Sequence, residues 1–156
     1  MDMLEIGNGA MTELEEQTHF SFWAALKSPL MASTDLASIN KTSLDILLNK
    51  DMIAISQDDA GIAVDYAPSL SEEGSIQIWA GPLKSGTSKF VILAFNEETT
   101  AQDITIKLSD VPRYQPDSQP WQIKDVWANK SLGAASDEIT LKGVQSHETK
   151  VLLFST

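Results

Sequence analysis

The spacing of apolar residues changes near residue 60, and this change constrains the fold more than any other feature of the sequence. Before it, apolar side chains recur about every four residues, as at Leu14, Phe22 and Leu26, which is the spacing of one helix face. After it, apolar and polar residues alternate, as at Ile104 and Ile106, which is the spacing of a half-buried strand. The chain therefore joins a helix-containing part to a part made of strands.

The first part has the pattern of an α/β structure. A helix is predicted over residues 12–27, because Thr12 and the glutamate three residues later have the capping-box form and Pro29 disfavours continuation. Residues 30–33 are short and apolar and predict a buried strand, and a second helix is expected over residues 42–49. Buried parallel strands have such continuous apolar runs. The apolar faces of this part have no evident partner in the chain, so we expect it to come from a larger parallel sheet or barrel.

The second part predicts six to eight short strands separated by turns, which is typical of an antiparallel β-sandwich. The run from Phe90 to Phe95 predicts a central strand, and the proline-containing residues 109–120 predict an irregular connection. We place the division between the two parts at residue 60, with residues 1–60 forming the α/β part and residues 61–156 the sandwich.

Composition excludes several classes of function. The chain has 22 acidic and 11 basic residues, a net charge of −11, so binding to a nucleic-acid backbone is disfavoured. It has no cysteine, which excludes disulfides, thiolate zinc sites and iron–sulfur clusters, and only two histidines, His19 and His147, far apart in the sequence, so an all-histidine metal site is not expected. Its apolar runs are much shorter than the roughly 20 residues of a membrane span.

Four groups of residues have some features of a binding or catalytic site, but their patterns favour structural roles. Gly7–Gly9 lacks the further glycines and the lysine of a phosphate loop. Asp58, Asp59 and Asp65 lack the spacing of a calcium loop. The two histidines have no triad partners. The three tryptophans of the second part could form a sugar platform, but are expected in the core: Trp79, Trp121 and Trp127.

Seven segments of the chain match a known family: Asp2–Gly9, Thr18–Ala24, Lys27–Leu30, Thr34–Leu36, Ile53–Asp58, Val126–Trp127 and His147–Leu153. In these segments the chain resembles glycoside hydrolase family 27, the α-galactosidases, most specifically over residues 2–58. The chain departs from the family at Asp59-Ala60-Gly61, where Pro-Leu-Gly is usual, and before Asp2, where Met1 replaces the usual Trp-Asn-Asp-Pro context. The resemblance implies that the complete enzyme needs no metal and no organic cofactor.

This resemblance implies a fold and an activity. Residues 1–60 would be the C-terminal fragment of a (β/α)8 TIM barrel, and residues 61–156 the antiparallel β-sandwich appended to it. The complete enzyme would hydrolyse terminal α-galactosyl linkages by a retaining mechanism, using two aspartates that lie upstream of the matching segments. The fragment is therefore expected to be inactive alone, with the N-terminal part of the same barrel as its partner and an α-galactoside or related carbohydrate as substrate.

The resemblance also assigns candidate site residues. The aspartate matching Asp2 and the methionine matching Met3 lie in the galactose pocket of the family.

The first residues lack the basic and apolar regions of a signal peptide, so the chain is either intracellular or the tail of a longer protein. By resemblance the complete protein is expected to be secreted, and two sequons offer glycosylation sites at Asn40 and Asn129.

Two alternatives of other classes stay open at this point. In the first, residues 61–156 form a non-catalytic β-sandwich module that binds carbohydrate or another protein. In the second, the chain is a structural partner that completes a separately encoded barrel half. An upstream reading frame that continues into this one and encodes an aspartate nucleophile would favour the enzyme.

Overall fold

A computed structural model describes residues 3–84, 88–114 and 120–155. Three helices come first and eight strands follow. The helices are α1 (Glu13–Ala25), α2 (Lys41–Leu47) and α3 (Lys50–Ser56), and a short 3-10 turn spans Leu108–Asp110. The strands are β1 (Asp65–Tyr66), β2 (Ile76–Pro82), β3 (Ser88–Asn96), β4 (Gln102–Lys107), β5 (Trp121–Asp125), β6 (Lys130–Ala135), β7 (Glu138–Val144) and β8 (Thr149–Ser155).

Helix α1 begins as its capping sequence predicts. The Thr12 hydroxyl accepts a hydrogen bond from the backbone of Glu15, whose carboxylate accepts one in return from the Thr12 backbone. The chain leaves the helix at Lys27, which has a left-handed φ of 62°. The most buried face is centred on Phe20 and Trp23, whereas the predicted stripe of Leu14, Phe22 and Leu26 is only half-buried. The buried face differs from the predicted stripe because α1 is covered by the other helices on one side and by the larger sheet on another.

The predicted buried strand over residues 30–33 is wrong in this chain. Ala32 forms a single parallel bridge with Leu4, and Met31 is 73% exposed. Its only strand neighbour among the described residues is the short segment around Leu4, so residues 31–33 are exposed, whereas Leu30 is partly buried against the helix-side core. The second predicted helix, over residues 42–49, is found as α2. A third helix, α3, follows directly, and Asn49 caps it through the backbone amides of Asp51 and Met52.

The predicted antiparallel β-sandwich is confirmed. A six-stranded sheet has the order β1-β2-β3-β8-β5-β6, and β4 pairs with β7 in a two-stranded sheet. Strand β3 carries the Phe90–Phe95 run and lies inside the larger sheet, between β2 and β8. One face of the larger sheet and the smaller sheet enclose an inner core that includes Ile92, Ile106, Leu152 and Phe154. Strand β6 escaped the sequence pattern because it is an edge strand with mostly exposed residues.

The other face of the larger sheet packs against the helices. Val91, Leu93 and Val151 of the sheet share a second core with Phe20 of α1 and Met52 of α3. The α/β part therefore has an apolar partner within the chain, which the sequence pattern did not reveal. Because helices and strands share this core, the division at residue 60 stays a prediction.

Polar contacts cross the same interface. The Trp127 indole N–H donates to Ser21 Oγ at 2.9 Å, and the Thr18 hydroxyl donates to the His147 carbonyl at 2.8 Å. Lys124 Nζ lies 2.6 Å from Asp51 Oδ2. The helices are thus attached to the sandwich by directed bonds as well as by apolar packing. None of the helices in the described ranges is long and apolar enough to cross a membrane.

Candidate active-site segment

The segment that carries Met3 lies beside the segment around Ala32, and α1 connects the two. Leu4 and Ala32 form the parallel bridge between them. The Leu4 carbonyl accepts from the Ser33 backbone N–H at 3.1 Å and from the Ser33 hydroxyl at 2.8 Å. Two short parallel segments joined by a helix have the connectivity of a βαβ unit, although here the two segments share a single bridge and do not form strands. Asp2, the other predicted pocket residue, lies outside the described residues, whereas Met3 is described and is half exposed.

His19 of α1 holds the backbone on both sides of Leu4. Its Nε2 atom accepts a hydrogen bond from the Glu5 backbone N–H at 3.2 Å, and its ring packs on Trp23 with 5.1 Å between centroids. Burial lowers the pKa of His19, and a hydrogen bond to the Met3 backbone opposes this shift. A neutral ring suits the site, because Nε2 must be unprotonated to accept from Glu5. The histidine thus orients the segment that carries Met3.

Glu16, one turn before Phe20 on the same helix, is a second anchor. Its side chain is 4% exposed, and its two oxygens accept from different elements. Oε1 accepts from the Gly7 backbone N–H at 2.8 Å, and Oε2 accepts from the Ser43 hydroxyl of α2 at 2.6 Å. A buried carboxylate is tolerated when its oxygens are hydrogen-bonded in this way. Glu16, which belongs to α1, therefore attaches the end of the Met3 segment to α1 and to α2.

Gly7 requires glycine for two reasons. Its φ of +88° lies in the left-handed region, and a Cβ placed there would lie 2.8 Å from Ile39 Cγ1. Asn8 and Gly9 beyond it are exposed. The Gly7–Gly9 loop is thus a tight turn at the end of the Met3 segment, and its first amide is already bonded to a carboxylate.

An apolar groove opens next to this segment. It has a volume of about 350 Å³ and lies between the Leu4–Ala32 pair and the helices. Leu36 and Leu48 on its wall are 64% and 60% exposed, values that are high for leucine. We call this surface the apolar groove; its lining includes Leu4, Phe20, Leu30, Ala32, Leu36, Leu44, Leu47, Leu48 and Ile53.

The other residues considered in the sequence do not form a site. The buried carboxylate of Asp58 accepts from the Lys84 and Ala60 backbone amides at 2.9–3.0 Å, and Asp65 pairs with Arg113 at 2.8 Å. These aspartates therefore serve different contacts. No cluster of three or more potential metal ligands occurs within residues 3–84, 88–114 and 120–155. His147 Nδ1 lies 3.2 Å from Glu15 Oε1, a contact between the sandwich and α1.

The three tryptophans considered as a sugar platform do not share a face. Trp79 packs on Phe22 and Tyr66 on the helix side of the larger sheet. Trp127 bonds to α1, and Trp121 belongs to the inner core of the sandwich. A single flat platform is therefore absent from this set of tryptophans.

Both predicted glycosylation residues lie on the surface. Asn40 caps α2, with its side-chain oxygen accepting from the Ser43 backbone N–H at 2.9 Å. Asn129 lies in the turn between β5 and β6 with a left-handed φ of 47°, a conformation that asparagine adopts readily. Both side chains are exposed.

Sequence reasoning missed the two anchors as site-forming residues. Glu16 was hidden in the acidic first turn of α1, where solvent exposure is the usual expectation. Its spacing of four residues before Phe20 was the available signal, since residues i and i+4 share a helix face. His19 was correctly assigned a structural role, but its contacts depend on a segment that approaches only in three dimensions.

Comparison with known proteins assigns the family. A family model described as "Alpha galactosidase C-terminal beta sandwich domain" matches residues 73–154, and one described as "Alpha galactosidase A" matches residues 1–58. Alpha-galactosidase 2 of Arabidopsis thaliana is 31% identical over 150 residues, which are 96% of this chain and 36% of the relative. The alpha-galactosidase of Cyamopsis tetragonoloba is 30% identical over 154 residues, again 36% of its length.

Solved structures agree with this assignment. Alpha-galactosidase I from Mortierella vinacea superposes with a TM-score of 0.86 and 35% identity, covering 98% of this chain and 38% of that one. This chain thus spans little more than a third of the length of the relatives that it matches. The two family models match consecutive parts of it, residues 1–58 and 73–154. The chain belongs to the α-galactosidases of glycoside hydrolase family 27 and corresponds to their C-terminal portion.

Proposed function

We propose that this chain supplies the last part of a (β/α)8 barrel, together with the appended sandwich, to a retaining α-galactosidase. The complete enzyme would hydrolyse terminal α-galactosyl linkages. The observation that carries this proposal is the Leu4–Ala32 parallel bridge connected through α1, because a βαβ unit is the repeating element of such a barrel. The family assignment supports a position of this unit near the end of the barrel.

The proposed chemistry needs residues that this chain does not supply. In a retaining mechanism one carboxylate attacks the anomeric carbon while a second protonates the leaving oxygen, and the second then activates water. By family resemblance both aspartates belong to earlier barrel strands. The contribution of this chain would be to line the sugar pocket with Asp2 and Met3. The chain alone is therefore inactive under this proposal.

The apolar groove supports a partner of barrel type. Leu36, Leu48 and Met31 expose large apolar side chains around the Leu4–Ala32 pair, whereas both faces of the six-stranded sheet are covered. Burial of apolar surface contributes about 25 cal/mol per Å². Earlier strands and helices of the same enzyme would cover this groove and would present the catalytic aspartates to the pocket.

A chimaera tests the activity. The chain is expressed alone and also joined to the N-terminal portion of the Mortierella vinacea enzyme, and both are assayed with a chromogenic α-galactoside. We expect turnover from the chimaera and none from the chain alone above a mock-purified control. Turnover by the chain alone would contradict the proposal. A folded but inactive chimaera, with the catalytic pair in place, would also count against it.

Substitutions in the chimaera test the pocket residues. Asp2→Ala removes a charged hydrogen-bond acceptor, which costs about 1.5–3 kcal/mol, or roughly one to two powers of ten in kcat/KM. Met3→Ala should lower kcat/KM with little loss of thermal stability, since the Met3 side chain is half exposed. Leu132→Ala on the remote edge strand is the matched control and should change neither quantity. Unchanged kcat/KM in both pocket variants would remove them from the site.

Secretion and glycosylation belong to the same proposal. We propose that the complete protein is secreted and that Asn40 and Asn129 can carry glycans, which their exposure permits. Expression of the longer protein through a eukaryotic secretory pathway should give a mass that falls after glycan removal. Asn40→Gln and Asn129→Gln should each abolish one step of that decrease. An unchanged mass in the parent would contradict glycosylation.

A further inference from the structure

Three side chains of the described residues bond to the backbone of the Met3 segment, and one of them is a histidine. A serine and a buried glutamate bind one backbone group each, at Leu4 and at Gly7. The third is His19, whose Nε2 accepts from the Glu5 N–H at 3.2 Å. An imidazole changes its charge between about pH 5 and 8, so the bond at Glu5 depends on pH.

Protonation of His19 would break this bond. A backbone N–H can only donate, so Nε2 must carry a lone pair and the proton of the neutral ring is on Nδ1. An imidazolium has N–H groups at both nitrogens, and its Nε2–H would point at the Glu5 N–H. The residues on either side, Leu4 and Ile6, are 1% and 0% exposed. The Glu5 N–H therefore cannot turn to water unless the segment moves.

The surroundings of the ring decide which charge state it has. Burial lowers the pKa of His19 below its ordinary value of 6.5, and this effect outweighs the others. A hydrogen bond with the Met3 backbone opposes it and favours the imidazolium. Among the described residues, the charged groups that face the ring are Glu5 of the Met3 segment and Glu16 of α1, and both also favour the imidazolium. The net result is a neutral ring at pH 7, with the bond to Glu5 intact.

We propose that His19 is a positioning residue for the sugar pocket and that its protonation sets the acid limit of galactose binding. This inference rests on the proposed function, which assigns Asp2 and Met3 at the start of this segment to the pocket. Neutral His19 holds the segment in the geometry that binds the sugar. On acidification the imidazolium releases the Glu5 N–H, the segment shifts, and the pocket residues move with it. The affinity for galactose then falls as His19 takes up its proton.

The other histidine provides a control on the same helix. His147 Nδ1 lies 3.2 Å from Glu15 Oε1, and the His147 carbonyl accepts from the Thr18 hydroxyl of α1. A protonated His147 can still donate to Glu15, so acidification does not break this contact. An effect of His19 can therefore be separated from the general effect of charging a histidine beside α1.

NMR of the ¹⁵N-labelled chain tests the first step and needs no activity. At pH 7 the His19 ring should have a protonated Nδ1 and an unprotonated Nε2. On titration to pH 4.5 the Glu5 amide signal should move together with the His19 ring signals, at a midpoint below 6.5. His19→Gln should abolish this movement and His147→Gln should retain it. A protonated Nε2 at pH 7, or a Glu5 amide that does not follow the ring, would overturn the proposal.

The galactose affinity of the chimaera tests the second step, by calorimetry at pH 7 and pH 4.5. His19→Gln should bind like the parent at pH 7, because its side-chain oxygen can accept from Glu5 and does not titrate. At pH 4.5 the parent should bind about 3- to 10-fold more weakly than His19→Gln, the usual net effect of one lost hydrogen bond. His19→Ala should show a loss of the same size already at pH 7. His147→Gln should behave as the parent does.

Failure of this inference is distinct from failure of the proposed function, because calorimetry needs no turnover. A chimaera that hydrolyses α-galactosides, but binds galactose with the same pH dependence in the parent and in His19→Gln, would overturn only this inference. The expected binding pattern without turnover would count only against the proposed function. Absence of galactose binding at both pH values would also overturn the inference, since nothing would then connect His19 to a sugar pocket.

Discussion

Replacement of Glu16 should reveal how strongly one buried carboxylate stabilises the Met3 segment. Glu16→Ala deletes acceptors for the Gly7 N–H and the Ser43 hydroxyl, which bind at 2.8 and 2.6 Å. A hydrogen bond to a charged group is worth about 1.5–3 kcal/mol, and the two are not fully additive. The desolvation of the carboxylate, no longer required, offsets part of the loss. We therefore expect the free energy of unfolding to fall by about 3–5 kcal/mol.

Glu16→Gln is the more informative companion. Its amide oxygen can still accept from Gly7, and the Ser43 hydroxyl can rotate to accept from the new amide N–H. The expected loss is only about 1–2 kcal/mol. The control is Glu13→Ala, an exposed glutamate in the first turn of the same helix, where the change should be about 0.5 kcal/mol or less.

Urea denaturation followed by circular dichroism at neutral pH measures these differences. With a slope of about 2 kcal/mol per M, the Glu16→Ala midpoint should fall by roughly 2 M. The reasoning is refuted if Glu16→Ala behaves like Glu13→Ala. It is also refuted if Glu16→Gln is as destabilising as Glu16→Ala, because the loss would then not follow the hydrogen bonds.

Three further predictions use the same unfolding assay. Gly7→Ala should lower the free energy of unfolding by several kcal/mol, because a steric clash adds to a backbone penalty of about 1 kcal/mol. Gly9→Ala should cost only the backbone penalty, because a Cβ at Gly9 would meet no neighbouring atom. Equal losses in the two variants would argue against the clash. Burial lowers the pKa of His19 in the folded chain, so the stabilisation by neutral His19 is present above pH 6.5 and is lost as the pH falls toward the pKa of the folded state. The free energy of unfolding should therefore drop less between pH 7.5 and 5 in His19→Gln than in the parent. Identical pH profiles would contradict this. Met52→Ala should lower the free energy of unfolding by about 2–5 kcal/mol, because Met52 is fully buried in the helix-side core. Leu48→Ala should change it little, because Leu48 is exposed in the isolated chain. A similar effect at both sites would mean that the apolar groove is covered.

Local signals in the sequence were sufficient for elements whose stabilising contacts are near in sequence. The Thr12 cap located the start of α1 because cap and helix lie within one turn, and the continuous apolar run of Phe90–Phe95 located β3 because both of its faces are buried. The segment at Ala32 was predicted to be buried, but Ala32 is exposed, and its strand neighbour among the described residues is only the Leu4 segment. Apolar character indicates what a segment would bury, but not whether a partner is present.

The site was less predictable than the fold for a related reason. The role of Glu16 depends on Gly7 and Ser43, which approach it from opposite directions in the sequence. Composition and spacing place such residues on a face of an element, and only the packed structure shows the hydrogen bonds that they make or lack.

Strand β8 has a consequence for biosynthesis. It lies between β3 and β5, and successive side chains project to opposite faces, so that Val151 and Leu153 enter the helix-side core while Leu152 and Phe154 enter the core between the sheets. The ribosome makes β8 after the seven other strands. Neither core can close during elongation, and α1 must wait with its sheet-facing surface uncovered until β8 emerges. A nascent chain stalled before residue 149 should therefore bind chaperones through both unfinished cores, and completion of this one strand should release it.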